Sequence, residues 1–232
     1  METTLITGAN RGIGLEFSRQ LAEDGWCVLA CSRDLEKSDA LNKLAAEYPE
    51  RITLYALDVT NHGQIEKLSQ TLANKPIDLL INNAGVFPDI NDRSFGQTDY
   101  DSWAHAFLVN TMAPLKIAEE FIDQVTQSSR KTIVTITSKM GSVADNGRGG
   151  SYIYRSSKSA VNMVIKSIAI DLEPSDIISV LLHPGWVRTD MGGPSGLISV
   201  EQSVSGMLSV IREVTSADSG KFIAYDGQII PW

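Results

Sequence analysis

The chain has 232 residues, 43% hydrophobic and 21% charged, with 18 Gly and 8 Pro. That is the composition of a folded globular protein and excludes disordered, collagen-like and coiled-coil chains. Its net charge of −8 and pI near 4.9, with no basic cluster, argue against a nucleic acid or an anionic membrane as its main partner.

In chain order, short apolar runs predict strands at 3–7, 26–32, 52–57, 77–81, 132–137, 177–182 and 221–225. Most are continuously apolar, the pattern of parallel strands covered on both faces. Helical periods fill the gaps. Leu15, Ser18, Leu21 and Ala22 form one face, and Ile65, Leu68 and Leu72 another. A third helix, from about 152 to 172, carries Ala160, Val164, Ile168 and Leu172 on one stripe. Alternation repeated this often predicts an α/β fold, a single doubly wound parallel sheet of about seven strands with helices on both faces. No linker, composition shift or internal repeat divides the chain, so 1–232 reads as one domain. A (β/α)₈ barrel, which usually takes ~250 residues, fits poorly.

Cys27 and Cys31 stand four apart in a predicted strand. At ~3.3 Å per residue their Cα atoms are ~13 Å apart, beyond the ~7 Å that a disulfide spans. Both read as buried thiols in a reducing compartment. The chain opens on an apolar strand without a basic leader, and no apolar run reaches the ~18 residues of a membrane span. The expected location is cytoplasmic.

The segment Thr7-Gly8-Ala9-Asn10-Arg11-Gly12-Ile13-Gly14 joins the first strand to the first helix. A tight structural turn is its bland reading. Its position favours more, because glycines between a strand and a helix let a pyrophosphate approach bare backbone at the helix N-terminus. A triphosphatase is not indicated, since no Gly-x-x-x-x-Gly-Lys-Ser/Thr segment occurs. The second strand ends Cys31-Ser32-Arg33-Asp34. An acidic residue about 20 positions past the glycines would hold a ribose 2′-OH, whereas arginine accommodates a 2′-phosphate. Arg11 and Arg33 could clamp that phosphate between two guanidiniums. NADP(H) is therefore favoured over NAD(H). Asp34 is the counter-evidence, unless it only caps the next helix.

Tyr154 and Lys158 are spaced i, i+4 on a predicted helix and so share one face ~6 Å apart. At an effective dielectric of ~20, an ammonium at that distance stabilises a phenolate by ~3 kcal/mol. The expectation is a tyrosine titrating well below its usual ~10. Alone the pair is a weak signal, equally a solvated helix face.

The joint pattern decides. Thr7-Gly8-x-x-x-Gly12-x-Gly14, Asn82-Asn83-Ala84-Gly85 after the fourth strand, Asn110, Ser138 after the fifth, Tyr154-x-x-x-Lys158 and Pro184-Gly185 after the sixth occur in order. This resembles the short-chain dehydrogenase/reductase family, with its Rossmann fold, over essentially the whole chain. Met191-Gly192-Gly193-Pro194 and the ending Tyr225-Asp226-Gly227-x-x-x-Pro231-Trp232 resemble, more narrowly, its C-factor and sniffer-type carbonyl reductases.

The resemblance implies an NADP(H)-dependent oxidoreductase acting on an aldehyde, ketone or quinone. Tyr154 would protonate the substrate oxygen and Ser138 would hydrogen-bond it. Lys158 would bind the nicotinamide ribose and tune Tyr154, and Asn110 would hold a water linking Lys158 to solvent. Asp58 and Val59 would contact the adenine, while Asn83, Ala84 and Gly85 would line the cofactor cleft. Pro184, Val187 and Thr189 would cover the nicotinamide. As in many relatives, the long helices flanking Ser138 would pair copies into a homodimer or homotetramer. The rival reading is a dinucleotide-binding signalling or regulatory protein whose turnover is incidental, which the C-factor likeness keeps in view.

Some features depart from the common layout. Residues 142–150 lengthen the link between Ser138 and Tyr154. Tyr152 competes with Tyr154, but at i+4 it has Ser156 and no lysine. The stretch Met191–Leu197 is too short for a helical lid, which implies an open substrate site. His183, beside Pro184, reads as a satisfied or partly exposed histidine, not a catalytic one, and no metal is implied, since His62 and His105 have no ligand spacing. Trp186 either walls the substrate pocket or packs.

Overall fold

The computed structural model describes residues 1–89 and 95–232. Seven strands, β1 (Thr3–Thr7), β2 (Cys27–Ser32), β3 (Ile52–Ala56), β4 (Leu79–Asn82), β5 (Thr132–Ile136), β6 (Ile178–His183) and β7 (Phe222–Ala224), form one sheet. The order is β3-β2-β1-β4-β5-β6-β7, with every pairing parallel. The helices are α1 (Gly12–Glu23), α2 (Asp39–Glu47), α3 (His62–Thr71), α4 (Tyr100–Phe107), α5 (Ala113–Thr126), α6 (Tyr152–Asp171) and α7 (Val200–Glu213). This is the doubly wound sheet expected from the alternation of apolar runs and helical periods.

Side chains along a strand point alternately to the two faces, and both faces here are covered. Leu5, Leu29, Leu80, Ile133, Leu181 and Phe222 pack with Ile65 of α3, Phe121 of α5 and Ile165 of α6. Ile6, Val28, Ile81, Val134, Leu182 and Ile223 pack with Phe17 of α1, Leu41 of α2 and Met207 of α7. Hence most of the strands read as largely apolar runs. Phe17, Phe121 and Phe222 are fully buried, each contributing ~1.5–3 kcal/mol relative to exposure.

Most strand ends fall within a residue of the predicted ones, and two larger differences, one in a strand start and one in a helix face, have identifiable reasons. β4 starts at Leu79, not Ile77, because the Ile77 N–H donates to the Gln124 carbonyl of α5 and not to a strand. Helix α6 buries Tyr154, Lys158, Val161, Ile165 and Ile168, while Ala160, Val164 and Leu172 are only partly covered. The inward stripe is therefore turned from the expected one, since two polar side chains belong to it. Of the cysteines, both are free thiols, but only Cys31 is buried, and Cys27 at the strand entrance is half-exposed. No helix among the described residues is long and apolar enough to cross a membrane.

Candidate active site

The carboxyl ends of β1, β4, β5 and β6 converge on one edge, where open α/β sheets bind ligands. The β1–α1 turn is locked to the segment after β4. Thr7 Oγ1 accepts from the N–H groups of Asn83 and Ala84, both at 3.0 Å. Asn83 Nδ2 donates to the carbonyls of Thr7 (2.8 Å) and Gly8 (3.0 Å). Glycine is required by this closeness. A Cβ on Gly8 would lie 2.9 Å from Ala84 Cα, and one on Gly14 would lie 2.3 Å from the Gly8 carbonyl oxygen.

The side chain of Asn83 is thus spent on the turn, and Gly85 is the member of its triplet that opens the cleft. A Cβ on Gly85 would sit 3.3 Å from Asn110 Oδ1 and 3.6 Å from Lys158 Nζ. Helix α1 begins without a side-chain cap or a first-turn acid, so its first N–H groups remain for an anion. Asn10 and Ile13 lie half-buried on this turn.

Arg33 is exposed beyond β2. Asp34 does not cap α2, whose N-cap is Ser38. Its Oδ1 accepts from the N–H groups of Glu36 (3.1 Å) and Lys37 (3.3 Å), and its Oδ2 pairs with the Lys37 ammonium at 3.0 Å. The hydrogen bond from Lys37 holds the Asp34 carboxyl below its ordinary range. Asp58 follows β3, with Val59 buried beside it. Burial pushes the Asp58 carboxyl up, but hydrogen bonds from Thr60 and the nearby Arg33 and His105 bring it below its ordinary range.

The loop after β6 folds back on itself. Val187 bridges to Ile198, Thr189 accepts from the N–H groups of Gly192 and Gly193, and the Trp186 indole donates to the Gly192 carbonyl at 2.8 Å. Trp186 is half-exposed on this loop and not a core side chain. Pro184 is buried, its carbonyl accepting from Ser203 of α7 at 2.6 Å. The loop meets the glycine turn directly. Thr189 Cγ2 would be 3.5 Å from a Cβ on Gly12, and Arg11 pairs with Asp190 at 2.5 Å. Arg11, read as a phosphate ligand, is therefore engaged across the cleft mouth by a partner that no motif announced.

Ser138, Tyr154 and Lys158 come together below this loop. Ser138 Oγ accepts from the Met140 N–H at 3.2 Å and lies near enough to the Tyr154 phenol to favour its ionised form. Tyr154 is buried, with the Phe87 ring edge-on at 4.7 Å, whereas Tyr152 is exposed. Lys158 Nζ donates to the Ile136 carbonyl at 3.0 Å and lies 5.8 Å from the Tyr154 ring centroid.

The long link 142–150 does not loosen this arrangement, because the end of β5 is stitched to α6 on its own. The Thr137 hydroxyl donates to Asn162 Oδ1 at 2.7 Å, and Ser159 Oγ donates to the Gly141 carbonyl at 2.7 Å. A Cβ on Gly141 would lie 2.8 Å from the Lys158 backbone.

The expected lowering of the Tyr154 pKa is not found in the free protein. Burial, penalising the phenolate, pushes it up to about 12 against the opposing effect of Ser138. Burial also brings Lys158 down to about 8, where its ammonium is held by a carbonyl and not by a phenolate. His183 accepts from the Lys139 N–H at 3.3 Å, and burial brings it down to about 4. It is a satisfied neutral histidine.

Asn110 lies in a π-helical turn, Leu108–Met112, between α4 and α5. Its amide grips both backbone groups of Val86 (2.9 Å each) and Ser157 Oγ (3.0 Å). It ties α6 to the segment after β4, a role that the sequence did not reveal. A cavity of about 530 Å³ at the opposite edge, beside Glu2, Asp78 and Arg130, holds none of these residues. Among the described residues no cluster of His, Cys, Asp and Glu could hold a metal ion.

Residues 2–196 match the family of short chain dehydrogenases. The C-signal of Myxococcus xanthus is 43% identical over 157 residues, 68% of this chain and 93% of that protein. The NADPH-bound carbonyl reductase from chicken fatty liver superposes with a TM-score of 0.92 at 31% identity, over 100% of this chain and 99% of that one. The carbonyl reductase Sniffer of D. melanogaster gives 0.93 at 29% identity, over 100% of both chains.

Proposed function

We propose that this chain, which belongs to the short chain dehydrogenase family, is an NADP(H)-dependent carbonyl reductase. The observation that carries this reading is the convergence of half-buried Ser138 with buried Tyr154 and Lys158 beside the glycine-opened gap at Gly85. The β1–α1 turn and the free N-terminus of α1 fit a dinucleotide diphosphate. Arg11 and Arg33 would hold the 2′-phosphate, Asp58 and Val59 would border the adenine, and Pro184, Val187 and Thr189 would roof the nicotinamide. When bound, the nicotinamide supplies a hydride to the substrate's carbonyl carbon.

The chain's own residues do the rest. Tyr154, kept protonated by its burial, donates its phenolic proton to the carbonyl oxygen. Ser138 donates a hydrogen bond to the same oxygen as charge develops there. Lys158 releases its proton near 8, so it can resupply the phenol. Asn110 holds Val86 and Ser157 in place and so keeps the Lys158 side of the gap aligned.

NADPH oxidation by the purified protein against aldehydes, ketones, dicarbonyls and quinones tests the reading, with turnover expected in at least one class. A second reading has the support of the 43% identity to a signal protein: a dinucleotide-binding regulator. NADPH binding without turnover across that panel would favour it.

The natural macromolecular partner in this proposal is a second copy. Met163 and Ile170, seven apart on α6, are more than half exposed, and Leu108 and Met112 are partly exposed ahead of α5. Light scattering at micromolar concentration is expected to give a dimer or tetramer, and a 25.3 kDa species would contradict it.

A further inference from the structure

Helix α6 enters in an unusual way. Gly149, Gly150 and Ser151 have φ of +64°, +62° and +48°, so three successive residues are left-handed. An N-cap residue normally has extended backbone, from which its side chain folds back onto the first-turn N–H groups. Ser151 stands in the cap position in the left-handed region and makes no side-chain cap, and the first turn of α6 carries no acid. The helix that bears Tyr154 and Lys158 therefore lacks a local cap.

The missing acceptor comes from 65 residues upstream. Asp89 Oδ2 accepts the N–H of Tyr154 itself at 2.7 Å, and Asp89 is 1% exposed. A carboxylate at a helix N-terminus gains from the helix dipole as well as the hydrogen bond, which offsets its burial. The same short segment sends the Phe87 ring edge-on to the Tyr154 ring, 4.7 Å between centroids. One strand of chain, beginning at Gly85 in the cleft, thus grips Tyr154 at both its backbone and its ring.

We propose that Asp89 is a positioning residue: by capping α6 at the Tyr154 N–H it fixes the height of the phenol against Ser138 and the substrate oxygen. This rests on the reductase reading above. Asp89, 1% exposed, has its carboxylate on the Tyr154 N–H and not on the phenol. Its effect passes through the helix, because a proton donor displaced by ~1 Å can cost ~10²-fold in rate.

Asp89→Ala and Asp89→Asn separate positioning from mere stability. The asparagine keeps an oxygen able to accept from Tyr154. In Asp89→Ala, kcat is expected to fall about 10- to 100-fold, with NADPH affinity within about twofold of wild type and faster hydrogen exchange at the Tyr154 amide. Asp89→Asn is expected to recover most of kcat and of the amide protection. A folded Asp89→Ala with wild-type kcat would overturn the proposal, as would loss of NADPH affinity in step with kcat. Unchanged protection of the Tyr154 amide would overturn it whatever the turnover. Absence of turnover in the wild type would instead remove the reductase reading, leaving amide protection to decide the role of Asp89.

Discussion

Replacing Tyr154 with Phe is expected to lower kcat for carbonyl reduction by about 10²- to 10⁴-fold, the usual worth of a positioned proton donor. The change removes one hydroxyl and leaves the ring against Phe87, so fold and NADPH affinity should be unaltered. Steady-state NADPH oxidation alongside a fluorescence titration of the cofactor checks both halves. A variant keeping more than about a tenth of the rate would move proton donation to another group. The pH profile carries a further signature. With Tyr154 as the proposed donor, reduction would need its phenol protonated, and burial preserves that form to about 12. The ammonium of Lys158 is lost at about 8. The alkaline fall of kcat/KM, which reports the free enzyme, is therefore expected near pH 8 and not at tyrosine's ordinary ~10.

The second large effect is expected at the far end of the cofactor. If Arg11 and Arg33 hold a 2′-phosphate, the double change to Ala removes two charge-assisted contacts, nominally about 1.5–3 kcal/mol each. Both arginines are exposed, and Arg11 must also leave Asp190 to reach a phosphate. Solvent screening and that exchange reduce the net loss, so NADPH should bind roughly 10- to 100-fold more weakly. NADH, without the phosphate, should change little. Parallel binding titrations decide the matter, and equal losses for both cofactors would remove the 2′-phosphate assignment.

Much of this architecture was legible because burial on both sheet faces leaves a strong trace, a largely apolar run at most of the strands. Less was legible where polar groups are buried. The inward stripe of α6 was misread because Tyr154 and Lys158 belong to it, and a count of apolar residues turns the face away from them. The Tyr154 pKa was misjudged for a related reason. Spacing discloses a neighbouring ammonium, but not the desolvation that outweighs it or the Ile136 carbonyl that claims it. Asp89, the Arg11–Asp190 pair and the π-helical turn at Asn110 were not legible. Each depends on contacts between distant segments that no local pattern encodes.

The stitching of the β5 end to α6 has a consequence for how such a protein can change. Because Thr137, Gly141, Ser159 and Asn162 bind the two elements independently, the chain between Ser142 and Ser151 leaves and rejoins one rigid body. Its length and side chains can vary while the distance from serine to tyrosine stays constant. The link and the serine–tyrosine pair are thereby separately adjustable parts, so a lineage, or a library built in the laboratory, can vary the one without disturbing the geometry of the other.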